Sequence, residues 1–263
     1  MLNPWPYDLF FKIYDTKINP ILLYGSEIWG VDVHREIETV HMFCCKRFLN
    51  VKSTTSNHVV RGECGRYPMY IFTFKRAISY WCKICKMPDC RFVKKCYNML
   101  ILDCLNGKVN WASKIKHILY SFGFGYIWEQ QSVSNVNSFL SEFVYRLKSS
   151  YEQDWHAALT NSSKFSPYSS FKLSFGVEFY VKELTISKFR SAFAQLRCSS
   201  HRLRIETGRY IKEPKHNRLC LVCNQQQIED EYHFFINMQL LPKSKTSIYS
   251  TKLLYPTNYP KIL

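Results

Sequence analysis

Cys220-Leu-Val-Cys223, followed by His233 and then Met238, is the stretch on which the reading of this chain turns. Two cysteines separated by two residues form a tight hairpin whose sulfurs converge on one point, and a histidine about ten residues on is the usual third ligand of a tetrahedral zinc site. The fourth position, where a cysteine or histidine is expected, holds Met238, an uncharged thioether that suits copper(I) better than zinc. Three outcomes stay open. Zinc is held by three protein ligands plus water or a neighbouring donor such as His216 or Cys198. The open position is catalytic. Or no metal binds and packing alone holds the hairpin.

The flank of this hairpin is basic. Between Lys188 and Arg218 there are nine Lys or Arg residues against two glutamates, Glu206 and Glu213. Arginine meets phosphate with two donors in a fixed fork, and a tyrosine offers a face on which a base can stack. Lys188, Arg190, Arg197, Arg202, Arg204, Arg209, Tyr210 and Arg218 are therefore the candidate nucleic-acid contacts. The competing reading is a solvated charged face. Ser199 or Ser200 is expected to cap a short helix that Gly208 ends, beside the hairpin.

The whole chain agrees with a polyanionic partner. Its 263 residues carry a net charge of +16, which favours nucleic acid first and an anionic membrane surface second. With 46% hydrophobic and 16% aromatic residues it has ample material for a core. No apolar run reaches membrane-spanning length, and the first residues lack the basic and small-residue features of a secretion signal. The eleven cysteines then read as free thiols plus one metal site in an intracellular (nuclear or cytoplasmic) protein, not as a disulfide framework.

Upstream, the periodicity is helical. Residues 7–29 read as helix broken near Asn19-Pro20. Ile37, Val40, Cys44 and Phe48 share one helical stripe. Ile71, Phe74, Ile78, Trp81, Cys82 and Cys85 line the core face of the clearest helix, which makes Cys82 and Cys85 packing residues and not a second metal pair. Further helices are expected over 92–105 and 111–120, with a break at Phe122-Gly-Phe-Gly125. Leu140, Phe143, Leu147, Tyr151 and Trp155 trace another. In the last, Ile186, Phe189, Phe193 and Leu196 face the core while Lys188, Arg190 and Arg197 face away. The expected class is mainly α, with helical bundles ahead of a small C-terminal zinc-knuckle-like hairpin. The expected segments are a helical region over 1–160, a linker over 161–176, the basic and hairpin region over 177–240, and an irregular tail over 241–263.

Arg202-Leu-Arg-Ile-Glu-Thr-Gly-Arg-Tyr210 ahead of the Cys-x2-Cys pair, and Glu229-Asp-Glu-Tyr-His-Phe234 carrying the histidine, resemble the C-terminal zinc-knuckle region of reverse transcriptases from non-LTR retrotransposons. Asp15-Thr-Lys-Ile-Asn-Pro-Ile-Leu-Leu-Tyr-Gly-Ser-Glu-Ile-Trp-Gly30 looks like the helix after the polymerase palm, and Ser53-Thr-Thr-Ser-Asn57 and Gly62-Glu-Cys-Gly-Arg-Tyr-Pro68 continue the pattern. The resemblance spans about residues 5 to 240 and departs from the family at Met238. It implies zinc on Cys220, Cys223 and His233, and RNA or DNA as partner, with neither a membrane nor a small-molecule substrate. It also puts the palm upstream of residue 1. Polymerase chemistry needs paired aspartates around two metal ions, and the chain contains no Asp-Asp dipeptide. The expectation is a non-catalytic nucleic-acid-binding fragment. The alternative is a decayed copy that folds or self-associates without selected activity.

Overall fold

A computed structural model describes residues 4–161, 165–223 and 225–234. The fold is mainly helical, and its extended pairing among the described residues is limited to the isolated antiparallel bridges Cys64–Val177 and Leu219–Ile228. Two compact units interleave along the chain. One draws on residues 1–8, 44–65 and 159–263, the other on residues 9–43 and 66–158. The sequence reading laid its segments end to end. Its linker, 161–176, includes the helix Ser166–Phe171, within which Tyr168 is buried.

The second unit is built on the helices Met69–Cys85, Phe92–Leu105 and Trp111–Ser121, close to the expected spans. Asn110 closes a capping box with Ser113, which fixes where the third begins. Trp81 stacks on Trp128 with ring centroids 6.0 Å apart, and its Nε1 donates to the Tyr97 hydroxyl at 2.7 Å. That hydroxyl donates in turn to Gln131 Oε1 at 2.6 Å, so the polar atoms of Trp81 and Tyr97 that enter this apolar centre are hydrogen-bonded. Cys82 is buried in the same core, where burial pushes its thiol up to about 12. Its neighbour Cys85 is raised to about 11 for the same reason, consistent with packing.

Two local expectations shift. Helix continues through Asn19-Pro20 because a π turn over Tyr14–Ile18 precedes it, and Pro20, which has no N–H to offer, falls in the first turn of Asn19–Leu22. The chain breaks instead at Gly25, whose φ is +69°. In Arg35–Leu49 the buried residues are His41, Met42, Cys45, Phe48 and Leu49, while Val40 is exposed. The stripe is rotated by about one residue from the sequence reading.

The first unit is organised around a buried charge. Glu63, in the helix Asn57–Cys64, has no solvent exposure. Arg197 donates to its carboxylate twice, Nε to Oε2 at 2.8 Å and Nη2 to Oε1 at 2.9 Å. The hydroxyls of Tyr168 and Tyr180 add bonds at 2.9 and 2.5 Å. Glu178 accepts from Arg197 Nη2 at 2.8 Å and also holds Lys172. Burial alone would lower the Arg197 guanidinium, but Glu63 outweighs it and holds the group firmly charged. Gly65, beside this network, sits at φ +60°, and a Cβ there would lie 2.3 Å from the Val177 amide nitrogen. Only glycine fits.

Candidate metal centre and basic surface

The hairpin comes from local backbone pairing. Leu219 bridges Ile228, the Cys220 amide donates to the Gln227 carbonyl at 2.8 Å, and Glu229 donates to the Arg218 carbonyl at 2.9 Å. The chain thus doubles back and presents Cys220 and Cys223 at its turn. His233 then enters from a short helical turn whose start is fixed by Asp230, since Asp230 Oδ1 accepts from the His233 amide at 2.8 Å.

These three side chains converge. The ligand atoms of Cys220, Cys223 and His233 all lie within 4.8 Å of one another, and Cys220 and His233 are buried. Cys223 Sγ and His233 Nε2 are 3.0 Å apart. Around a tetrahedral zinc with bonds of about 2.0–2.3 Å, donor atoms sit roughly 3.5–3.8 Å from one another, so a bound ion would move Cys223 and His233 apart by about half an ångström. His233 Nδ1 lies 3.1 Å from Gln227 Oε1. An amide oxygen accepts only, so Nδ1 carries the proton and the Nε2 lone pair is turned towards the sulfurs, as metal-bound histidines are usually oriented. The residues present fit a zinc ion. The suggested alternative donors do not belong to this cluster: His216 is exposed, and Cys198 is buried beside Glu63, where burial and then that carboxylate push its thiol well up. Met238 lies outside the described residues.

The hairpin and the basic helix Arg204–Tyr210 form one piece. Ile205 N donates to the Glu229 carbonyl at 3.0 Å, and Arg204 N donates to Glu229 Oε2 at the same distance. Arg218 Nη1 donates to the Ile205 carbonyl at 2.9 Å, while its Nε and Nη2 reach the Glu213 carbonyl at 2.9 and 2.6 Å. Gly208 lies inside this helix and does not end it. A Cβ there would meet the Arg218 side chain at 2.8 Å, so the residue allows a close approach.

The candidate phosphate ligands divide. Arg190, 1% exposed, lies over the Phe48 ring at 4.5 Å. Arg197, 7% exposed, is bound to Glu63. Both guanidinium groups are engaged inside the protein, so the buried stripe of Ser187–Arg197 is rotated by about one residue from the one its sequence suggests: Phe193 and Leu196 are buried as expected, whereas Ile186 and Phe189 are exposed. Arg204 pairs with Glu213 at 2.6 Å and is half-buried, as is Arg218. Lys188, Arg202, Arg209 and Tyr210 are exposed, Arg209 while paired with Glu206 at 2.9 Å.

One residue of this surface escaped the sequence reading. Lys52 follows Asn50, which is held at φ +55°, and its Nζ stands 5.8 Å from the centre of the Tyr210 ring. Nothing in the sequence near Lys52 signals a partner so far along the chain. Among the described residues no helix is long and apolar enough to cross a membrane. Comparison with protein-family models, curated proteins and solved structures finds no match to the chain.

Proposed function

We propose that the chain is a non-catalytic, nucleic-acid-binding piece of a non-LTR retrotransposon reverse transcriptase, with a zinc-knuckle-like hairpin that braces a basic surface. The observation that supports this most is the set of hydrogen bonds joining the helix Arg204–Tyr210 to the hairpin at Glu229 and Arg218. Zinc, when bound, supplies a cross-link between the Cys220–Cys223 turn and His233. Gln227 orients His233, and Asp230 fixes the turn that carries it. The basic residues then meet the phosphate backbone, which steers and positions but carries no sequence information. The exposed cations of the segment are Lys188, Arg202, Arg209, Lys212 and Lys215.

Binding should fall steeply with salt. Five phosphates neutralised correspond to a log–log slope of about −3.5 on single strands and about −4.5 on duplex. Replacing Arg202 and Arg209 together with alanine should flatten it by about 1.4 and 1.8 respectively, equally for all sequences. A salt-independent affinity, or a slope unmoved by the double substitution, would overturn the assignment.

A further inference from the structure

We propose that Lys52 and Tyr210 form a stacking clamp that makes this surface select unpaired, single-stranded polynucleotide over duplex. The proposal rests on the nucleic-acid reading above and adds to it the class of nucleic acid and a contact residue far from the basic segment. Tyr210 is 65% exposed, at the end of its helix. The Lys52 ammonium stands 5.8 Å from its ring centre, within cation–π range. An exposed phenol next to a fixed cation offers a base a π-face and offers the adjoining phosphate a charge. Those are the two components of sequence-tolerant single-strand binding. A paired base inside a duplex cannot present its face to Tyr210 without unstacking.

The clamp is held in advance of any ligand. The Lys52 amide donates to Ser200 Oγ at 2.9 Å, and Lys52 Nζ donates to the His201 carbonyl at 3.2 Å. Thr55 Oγ1 donates to Ser200 Oγ at 3.3 Å, and Gln195 Nε2 donates to the Asn50 carbonyl at 2.8 Å. The residues at the two ends of this contact, Asn50 and Ser199, have φ of +55° and +49°. Both residues close helix ends of the Schellman type, with the Val51 amide donating to the Lys46 carbonyl at 3.1 Å and the Ser200 amide to the Gln195 carbonyl at 2.7 Å, which fixes the backbone on either side of the contact. The 51–56 loop is thus tied to the end of Ser187–Arg197 by side-chain hydrogen bonds at several points, which keeps the ammonium in place when the strand is absent. Fixing it beforehand spares the ordering cost at the moment of binding.

The test compares four fluorescent ligands on the full chain: a single-stranded RNA, a single-stranded DNA, the same DNA with abasic sites, and a duplex. Tyr210→Ala should weaken binding to the intact single strands by about 5- to 150-fold while leaving the abasic strand and the duplex within twofold of the wild type. Tyr210→Phe should keep the wild-type preference, because the ring remains. Lys52→Ala should reduce the single-strand salt slope by about 0.7. An equal loss on all four ligands, or no loss on any, overturns the clamp, as does a loss on the abasic strand matching that on the intact one. The RNA and DNA arms report which sugar is preferred, and selective loss on either supports the clamp. Running Arg202→Ala/Arg209→Ala beside these keeps the two readings apart. If that variant weakens every ligand while Tyr210→Ala changes none, the basic surface stands and the clamp falls. If neither changes anything, both fall. Because Tyr210 is exposed, its replacement should leave the fold intact, and an unchanged urea midpoint would verify that.

Discussion

Replacing Arg197 with methionine tests the centre of the first unit directly. The side chain fills a similar volume but leaves the carboxylate of Glu63, fully buried, with only the hydroxyls of Tyr168 and Tyr180. Removing one partner of a buried ion pair typically costs about 3–5 kcal/mol, because the remaining charge is uncompensated. Domain stabilities are about 5–15 kcal/mol in total, so the variant should be close to unfolding at physiological temperature. Glu63→Gln should cost less, about 1–3 kcal/mol, since Arg197 keeps Glu178 at 2.8 Å. The double variant should then lose clearly less than the two single losses added together. The assay is urea unfolding of all four proteins, followed by both fluorescence and circular dichroism. At a slope of roughly 2 kcal/mol per molar urea, Arg197→Met should move the midpoint down by about 1.5–2.5 M. A loss below about 1 kcal/mol, or single effects that add within about 0.5 kcal/mol, would mean that the pair is not coupled and that the network does not organise this unit.

Two further outcomes follow from the same geometry. Gln227→Leu should lower zinc affinity by about 10- to 100-fold without changing stoichiometry, because His233 loses its orienting acceptor, while Cys220→Ser should abolish tight binding; competition against a chromogenic chelator reads both, and a Gln227→Leu affinity equal to the wild type would remove Gln227 from the site. Stability should also decline in alkali, since burial and then Glu63 hold the phenols of Tyr168 and Tyr180 well above the ordinary value of 10. Groups whose pKa rises on folding stabilise fully below their unfolded value, and that stabilisation drains away as pH climbs towards the folded one, so the loss should begin near pH 10 at up to about 1.4 kcal/mol per pH unit for each phenol; Tyr168→Phe should remove one share, and a flat profile to pH 11 would contradict the burial of these groups.

How much of this was legible in the sequence depends on how locally each feature is specified. The helices over 69–85, 92–105 and 111–121 show in their spacing because each apolar stripe repeats within a few residues, and Asn110 and Ser113 mark one start. Cys220, Cys223 and His233 converge as their spacing suggests, because the bonds that bring them together are themselves local. The placement of Arg190 and Arg197 on the outer face of Ser187–Arg197 failed for the opposite reason. An arginine is taken as solvent-facing unless something nearby argues otherwise, and the partner of Arg197 is Glu63, 134 residues away. The one sequence hint was Glu63 itself, a carboxylate set among Val59, Val60 and Cys64 in a short helix. Lys52 was missed likewise, its anchor Ser200 being 148 residues distant.

The division of the arginines changes what the basic composition means. Counted from the sequence, the stretch from 188 to 218 offers nine cations to a polyanion. Folding withdraws Arg190 and Arg197 into the interior and spends Arg204 and Arg218 on the Glu213 region that braces the hairpin. What remains at the surface is the exposed set, with Lys52 brought in from outside the segment, and on the proposed function it is these cations that would meet phosphate. The buried arginines still contribute, indirectly. By holding the end of Ser187–Arg197 against the 50–55 loop through Gln195 and Ser200, the helix that carries them fixes Lys52 beside Tyr210. Charge in the core therefore sets the geometry of charge at the surface. A variant that weakens the Glu63–Arg197 pair without unfolding the chain should loosen the clamp before it alters the salt dependence of the outer cations.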